Sequence, residues 1–275
     1  MTFEKIGIIG LGLIGGSFAK AFSERGLCVY GLDMDKKTLA SAAASGVFQG
    51  LTDETAEFLD FGIDLIYLCV PVETTKEIFR TLKRMNVLIP LTDAASTKAS
   101  INTLAAELGL NYCGAHPISG KEVSGFESSE SSLLKGAVCV ICPCAESFPA
   151  GQLKQLHTDI GMNVVEMDAE KHDIIFGAIS HLPHITAFSL VEAVNEKCPE
   201  AFFYTGGGFR DFSRIAASDP RMWTDIFLDN DENLLELIDT YIEFLNRWKE
   251  DIAGKKEDRI FKRIEDARRI RRNIK

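Results

Sequence analysis

Apolar and polar positions follow two different rhythms along this chain, and the change from one to the other divides it. In the first part, short apolar runs alternate with longer stretches of helical spacing. Ile6-Gly7-Ile8-Ile9 reads as a buried strand, residues 18–22 as part of a helix, and Val29-Tyr30-Gly31-Leu32 as a second strand. Residues 36–45 predict a helix of small residues stopped by Gly46. A third strand spans 64–70 and stops at Pro71, and an amphipathic helix spans 73–85 with Ile78, Leu82 and Met85 on its apolar face. Residues 87–92 read as a fourth strand despite Pro90, followed by a helix that runs to Leu108. A fifth strand at 112–115, a polar stretch at 121–132, a strand at 137–142, a helix at 153–160 and a strand at 163–166 complete this part. Such alternation predicts an α/β fold: a Rossmann-type, doubly wound and mostly parallel sheet.

At Asp168 the strand rhythm stops. Residues 169–196 keep a helical period interrupted by Pro183, and Gly206-Gly207-Gly208 precedes a helix near 209–217. Ser218-Asp219-Pro220 opens another helix with proline in its first turn. A long amphipathic helix covers 232–252, and Gly254 separates it from a tail helix. The expectation is therefore a Rossmann domain over 1–167 and an all-helical domain over 168–275. No internal repeat or low-complexity linker is visible.

Composition narrows the class. The chain has 275 residues, 46% hydrophobic and 25% charged, as a globular protein with a real core requires. No apolar run suggests a membrane span, and no export signal is visible, so the reading is cytoplasmic with no membrane partner. Seven scattered cysteines are then expected to be reduced thiols. The net charge of −10 argues against general nucleic-acid binding. It conceals a basic tail: residues 255–275 carry ten Lys/Arg and four Asp/Glu. Ile260, Ile264, Ala267 and Ile274 stripe that tail at helical spacing, which reads as a helix with a solvated basic face.

The most specific chemistry lies in Gly10-Leu11-Gly12-Leu13-Ile14-Gly15, between the first strand and the first helix. Gly10 permits a tight turn, Gly12 lets backbone approach a pyrophosphate, and Gly15 lets the helix lie close to the strand. The helix start at Leu13 and Ile14 offers N–H groups and a positive dipole end to phosphate. Asp33, ending the second strand, is placed to accept from a ribose 2′-OH, or else it caps the next helix. It would repel a 2′-phosphate, so the implied cofactor is NAD. Val70 and Pro71, where the third strand ends, complete the expected cofactor edge.

Three segments converge outside the carboxyl ends of the strands: the Gly10 turn, 93–98, and His116-Pro117. His116 is thereby a candidate base near a nicotinamide, or a structural histidine; Ser96 is a candidate partner, or the N-cap of its helix. His181 and His184 stand three apart on a helix, with Pro183 between them. Two histidines suggest zinc, but no third ligand stands at a recognisable spacing, so no metal is assigned. Cys139 and Cys142 form a CxxC, but on a strand they face opposite ways and read as core thiols. Arg210 and Arg214 are one helical turn apart, suited to binding carboxylates or to surface pairs with Asp211 or Asp225.

Taken together, these motifs resemble the prephenate/arogenate dehydrogenase family of tyrosine biosynthesis. The resemblance runs through the Gly10–Ser17 turn, Asp93-x-x-Ser96-x-Lys98, His116-Pro117-x-x-Gly120, Ser124-Gly125 and Ser180-His181-Leu182-Pro183-His184. It continues through 207–216 and Ser218-Asp219-Pro220-x-Met222-Trp223. Ser119 departs from the small apolar residue often found before that glycine. The resemblance implies oxidative decarboxylation of prephenate with hydride transfer to NAD+. It implies His116 as base, Ser96 hydrogen-bonded to the reacting hydroxyl and orienting His116, Arg214 on the ring carboxylate and His184 on the side-chain end. Arg210, Lys98, His181 and Gly120 are the further substrate-side positions, and the helical domain would form a homodimer interface. An added regulatory domain and a chorismate mutase segment are both expected to be absent. The alternatives are arogenate as substrate, or another two-domain Rossmann dehydrogenase of the β-hydroxyacid or pyrroline-carboxylate reductase type.

Overall fold

The computed structural model describes residues 3–121 and 123–274. Its first part contains β1 (Lys5–Ile9), α1 (Leu13–Glu24), β2 (Cys28–Leu32), α2 (Lys36–Ala44), β3 (Gly50–Thr52), α3 (Thr55–Asp60) and β4 (Leu65–Leu68). Next come α4 (Val72–Arg84), β5 (Leu91–Asp93), α5 (Ala99–Leu108), β6 (Cys113–Ile118), β7 (Val138–Pro143), α6 (Ala150–Asp159) and β8 (Asn163–Glu166). Five strands form a parallel sheet in the order β3-β2-β1-β4-β5. The order reverses between β1 and β4, and a doubly wound sheet opens a crevice at such a point. β4 is buried at every position, and β1 at every position but Lys5, as central strands covered by helices on both faces must be.

The sheet continues beyond β5 only through a parallel bridge between Leu91 and Tyr112. Past it, β6 pairs with β7 antiparallel and β7 pairs with β8 parallel. The link from β6 to β7 contains two short 3₁₀ turns, Phe126–Ser128 and Ser131–Leu134, which pack on α1. Among the described residues no crossover α-helix intervenes, and the chain returns antiparallel.

Four elements differ from the sequence expectation. β3 and α3 form where none is predicted: β3 is a three-residue edge strand, too short to show a period. The fourth strand is shorter than 87–92, because Pro90 has no N–H; it contributes only its carbonyl, to Ile66 N, and the ladder starts at Leu91. Met85 lies past the end of α4 and is exposed, so the apolar face of that helix is Val72, Thr75, Phe79 and Leu82.

One half of the core lies under α1 and α6. Phe18 and Phe22 stack there, and Phe18 lies 4.5 Å from Tyr67. The buried Tyr67 hydroxyl is 3.0 Å from His157 Nε2, and His157 Nδ1 is 2.8 Å from the Leu153 carbonyl. A carbonyl only accepts, so Nδ1 carries the hydrogen and the tyrosine donates to Nε2. Burial pushes His157 down to about 4, and the pair satisfies two polar groups inside an apolar cluster. Cys139 and Cys142 face opposite sides of β7, both buried and reduced; burial raises both thiols, Cys142 to about 12.

Beyond Asp168 the described residues form helices and helical turns: α7 (Ala169–Phe176), a π turn (Gly177–His181), α8 (Leu182–Lys197), a 3₁₀ turn (Pro199–Tyr204), α9 (Gly207–Ser213), a 3₁₀ turn (Arg214–Ala217) and α10 (Pro220–Asp229). α7 packs on α5 and β7, α10 on α4, and α9 with its following turn on α8. These packings join 168–230 to the sheet, and residues 1–230 form one compact unit. Residues 231–275 form the other, a pair of helices α11 (Asp231–Ala253) and α12 (Glu257–Arg272). Within that pair, buried Asp251 accepts from Arg263 Nε at 2.8 Å, which lowers its pKa. The continuous helix 169–197 is long and apolar enough to cross a membrane by length and composition alone, which the sequence reading did not anticipate.

Candidate active site

The glycine turn has the steric logic of a cofactor cradle. Gly10 sits at φ +89°, and a Cβ there would lie 2.5 Å from the Cys69 carbonyl oxygen. A Cβ on Gly15 would lie 1.9 Å from the Gly10 oxygen, so α1 can start this close to β1 only with glycine. Gly12 faces open space, and no side chain caps α1. The first-turn N–H groups at Leu13 and Ile14 are therefore left to a ligand. Asp33 does not cap α2; Asp35 does, accepting from Lys37 N and Thr38 N. The Asp33 carboxylate instead accepts from Leu11 N at 2.7 Å and Asp35 N at 2.9 Å, which fixes it beside the glycine turn. Val70 and Pro71 follow β4 directly, and the Val70 side chain is what a Gly10 Cβ would strike.

His116 lies within β6, partly open, with Phe176 of α7 packed on it at 4.9 Å between ring centroids. Its Nδ1 is 2.8 Å from His172 Nε2, and His172 Nδ1 is 2.7 Å from Asp173 Oδ1. The Asp173 carboxylate also accepts from Lys98 N and Ala99 N, each at 2.8 Å. It thus caps α5 from another element, and Ser96, expected as that cap, is not the cap. No hydrogen bond joins Ser96 to His116 among the described residues; the contact that orients His116 comes from His172. Burial holds His116 well below the usual histidine value, and the neighbouring His172, Lys98 and His181 push the same way, so the ring is neutral near pH 7.

Lys98 was expected to face an anionic substrate. It is fully buried and paired with the equally buried Asp93, which also accepts from the Tyr112 hydroxyl at 2.8 Å and Ala115 N at 3.0 Å. A substrate cannot touch that ammonium directly. His181 is also buried: it lies 3.0 Å from Asn230 Nδ2. The same Asn230 amide donates to the Asp173 carbonyl, which fixes its orientation, so His181 Nδ1 accepts. Burial brings His181 down to about 4, so it supplies neither a contact nor a charge at neutral pH.

His184 is the accessible member of that pair. Its Nδ1 is 2.8 Å from the Ser180 carbonyl and its ring stacks on Trp223 at 3.6 Å. Nδ1 therefore carries the hydrogen and Nε2 is left for a ligand, while burial lowers the pKa. Arg210 and Arg214 are exposed on α9 and the turn after it, beside α8. Arg210 donates to the Thr205 carbonyl at 2.8 Å. Gly120, two residues past β6, is exposed with open space at its Cβ position. Among the described residues no group of three His, Cys, Asp or Glu is arranged to hold a metal ion.

Comparison with known proteins places this geometry. Residues 18–165 match the prephenate dehydrogenase nucleotide-binding domain, and residues 168–266 match the prephenate dehydrogenase dimerization domain. The chain belongs to the prephenate dehydrogenase family. It is 30% identical to the prephenate dehydrogenase of Lactococcus lactis over 98% of this chain and 77% of that one. It is 31% identical to the cyclohexadienyl dehydrogenase of Zymomonas mobilis over 100% and 97%. A crystal structure of prephenate dehydrogenase from A. aeolicus, in complex with hydroxyphenyl propionate and NAD+, superposes with a TM-score of 0.92 at 35% identity, covering 100% of this chain and 99% of that one. The chain is accordingly an oxidoreductase with a nucleotide-binding domain and a dimerization domain.

His172, Asp173, Asn230 and Trp223 received no role from the sequence. Their signal was present but faint: His172 and Asp173 occupy, with Phe176, the buried phase of α7, where a polar pair is unusual.

Proposed function

We propose that this chain catalyses oxidative decarboxylation of prephenate to 4-hydroxyphenylpyruvate, with NAD+ as acceptor, in tyrosine biosynthesis. The observation that carries the reading is a neutral, oriented imidazole, His116, at the carboxyl side of a nucleotide-binding sheet. NAD+, when bound on the Gly10–Gly15 turn, supplies the hydride acceptor. His116 Nε2 takes the hydroxyl proton as hydride leaves the same ring carbon. The ring then loses its carboxylate as CO2 and becomes aromatic, and His116 returns the proton to the phenolic oxygen. Ser96 hydrogen-bonds the reacting hydroxyl. Arg214 holds the ring carboxylate, Arg210 adds positive charge, and His184 meets the side-chain end; Gly120 leaves room beside the ring. Because Lys98 and His181 are buried, they support this site from behind.

Asp33 accepts from the ribose 2′-OH and excludes a 2′-phosphate, which makes NAD the cofactor. Its kcat/KM should exceed that for NADP+, and equal values would remove Asp33 from the reading. A soluble cytoplasmic homodimer, formed through the dimerization domain, is the assembly we propose. The domain boundary we propose lies between Met167 and Asp168.

The test is NADH formation on mixing the protein with NAD+ and prephenate, against the same assay with arogenate. Similarity to a cyclohexadienyl dehydrogenase favours arogenate as the second reading. His116→Asn, which cannot accept the proton, should lower kcat by about 10²–10⁴-fold with NAD+ affinity unchanged. The depressed pKa of His116 adds a sign: the neutral, active form persists below pH 6.5, so the acid limb of kcat lies below the ordinary histidine value. A near-normal kcat in His116→Asn overturns the assignment.

A further inference from the structure

We infer that His172 and Asp173 form a positioning relay that selects one tautomer of His116 and so makes Nε2 its proton acceptor. The inference rests on His116 being the base proposed above, but the geometry stands without it. Asp173 is the fixed end. Its carboxylate accepts from Lys98 N, Ala99 N and His172 Nδ1, and Asn230 anchors its carbonyl. An ionised carboxylate can only accept, so the hydrogen between Asp173 and His172 belongs to His172 Nδ1. Neutral His172 then has a bare Nε2. At 2.8 Å that lone pair needs a donor, and the ring atom facing it is His116 Nδ1. His116 therefore carries its hydrogen on Nδ1, and Nε2, the other nitrogen, has the free lone pair.

Two consequences follow for the reaction. The base needs no rearrangement before the proton moves: the O–H bond breaks, an Nε2–H bond forms, and the imidazolium keeps its Nδ1–H on His172. The positive charge that appears on His116 is then met through His172 by the Asp173 carboxylate, one hydrogen bond further away. Phe176, packed 4.4 Å from His172 and 4.9 Å from His116 between ring centroids, closes the apolar side of the pair and keeps both rings in register.

Asp173 also caps α5, so loss of activity in an Asp173 variant has an ordinary structural explanation. The deciding measurement is the tautomer itself. Long-range ¹H–¹⁵N correlation spectra of the ¹⁵N-histidine-labelled full chain, with His116→Asn to assign its signals, should show His116 protonated on Nδ1 and bare at Nε2. Protonation on Nε2 in the parent protein overturns the relay, whether or not prephenate proves to be the substrate. The kinetic test uses the replacement of the middle residue. His172→Phe keeps a ring against Phe176 but removes the acceptor, and should lower kcat about ten- to hundred-fold with KM for NAD+ unchanged, less than loss of the base itself. His172→Gln, whose amide oxygen can accept from Nδ1, should recover part of that loss. Parent-like kcat in His172→Phe, or no recovery in His172→Gln with the fold intact by circular dichroism, overturns it. If His116→Asn is fully active while the parent tautomer is as stated, the relay stands and the proposed base falls.

Discussion

Lys98 and Arg214 sit in opposite environments. Lys98 spends its charge inside, against Asp93, where removing either partner would leave a buried ion unpaired. Arg214 is exposed and planar, and only such a group can take a carboxylate through two parallel hydrogen bonds. Burial pushes His181 and His184 toward neutrality, so the proposed reading assigns the positive charge met by a dianionic substrate to the arginines. Arg214→Lys should therefore raise KM for prephenate despite keeping the charge, and Arg214→Ala should raise it further, by about 2–5 kcal/mol in binding. KM for NAD+ should change little. Parent-like binding in Arg214→Ala would shift the role to Arg210. At this scale the sequence is informative where a residue type has one use, as in the glycine turn, whose close contacts admit no side chain at Gly10 or Gly15. It was misleading for Lys98, because a lysine's charge says nothing about whether a carboxylate is folded against it. It was silent on His172, because two adjacent polar residues in a helix acquire meaning only from what packs opposite.

Among the elements, the strand–turn–helix around Gly10 is the most tightly constrained. Gly12 and Gly15 look alike in the motif but differ in what surrounds them. A Cβ at 15 meets backbone at 1.9 Å, whereas one at 12 meets nothing. Gly15→Ala should destabilise folding by about 1–3 kcal/mol, read from urea unfolding. Gly12→Ala should leave the unfolding midpoint unchanged and instead raise KM for NAD+. Equal stability losses for the two would contradict the geometry. The same distinction explains which elements were legible. β1 and β4 are nearly continuous apolar runs, β2 is largely buried, and α1 buries one apolar face. β3 and β5 have three residues each and are defined by their partners, and the antiparallel turn into β7 depends on a loop with no period at all.

For the whole molecule, the apolar residues left uncovered are as informative as the core. Ile179, Phe203 and Tyr204 are 65%, 87% and 85% exposed, all within the stretch that matches a dimerization domain. Isolated apolar residues on a surface are ordinary, but exposed Phe203 and Tyr204, adjacent in sequence, are the residue type that interfaces favour. Sedimentation equilibrium should return twice the 30.3 kDa chain mass, and a single-chain mass at micromolar concentration would exclude the dimer. The change of rhythm at Asp168 was visible in the sequence. The docking of α7 onto α5 and β7 and of α10 onto α4 was not, since it depends on which helix faces meet across long separations in sequence.

The π turn at Gly177–His181 sets a limit on how this protein can vary in length. Pro183 has no N–H to return to the carbonyl four residues before it, and the helix widens by one residue just ahead of that proline. Everything after the turn is thus phased against everything before it by one inserted residue. Deleting a single residue there would shift the register of the helix, while Pro183 would still lack an N–H to donate. The deletion would also rotate α8 relative to α7 by about 100°. His184 would swing away from Trp223, while His172 and Asp173 stayed behind. In this helix substitutions change one contact at a time, but an insertion or deletion separates His184 from His172 and Asp173.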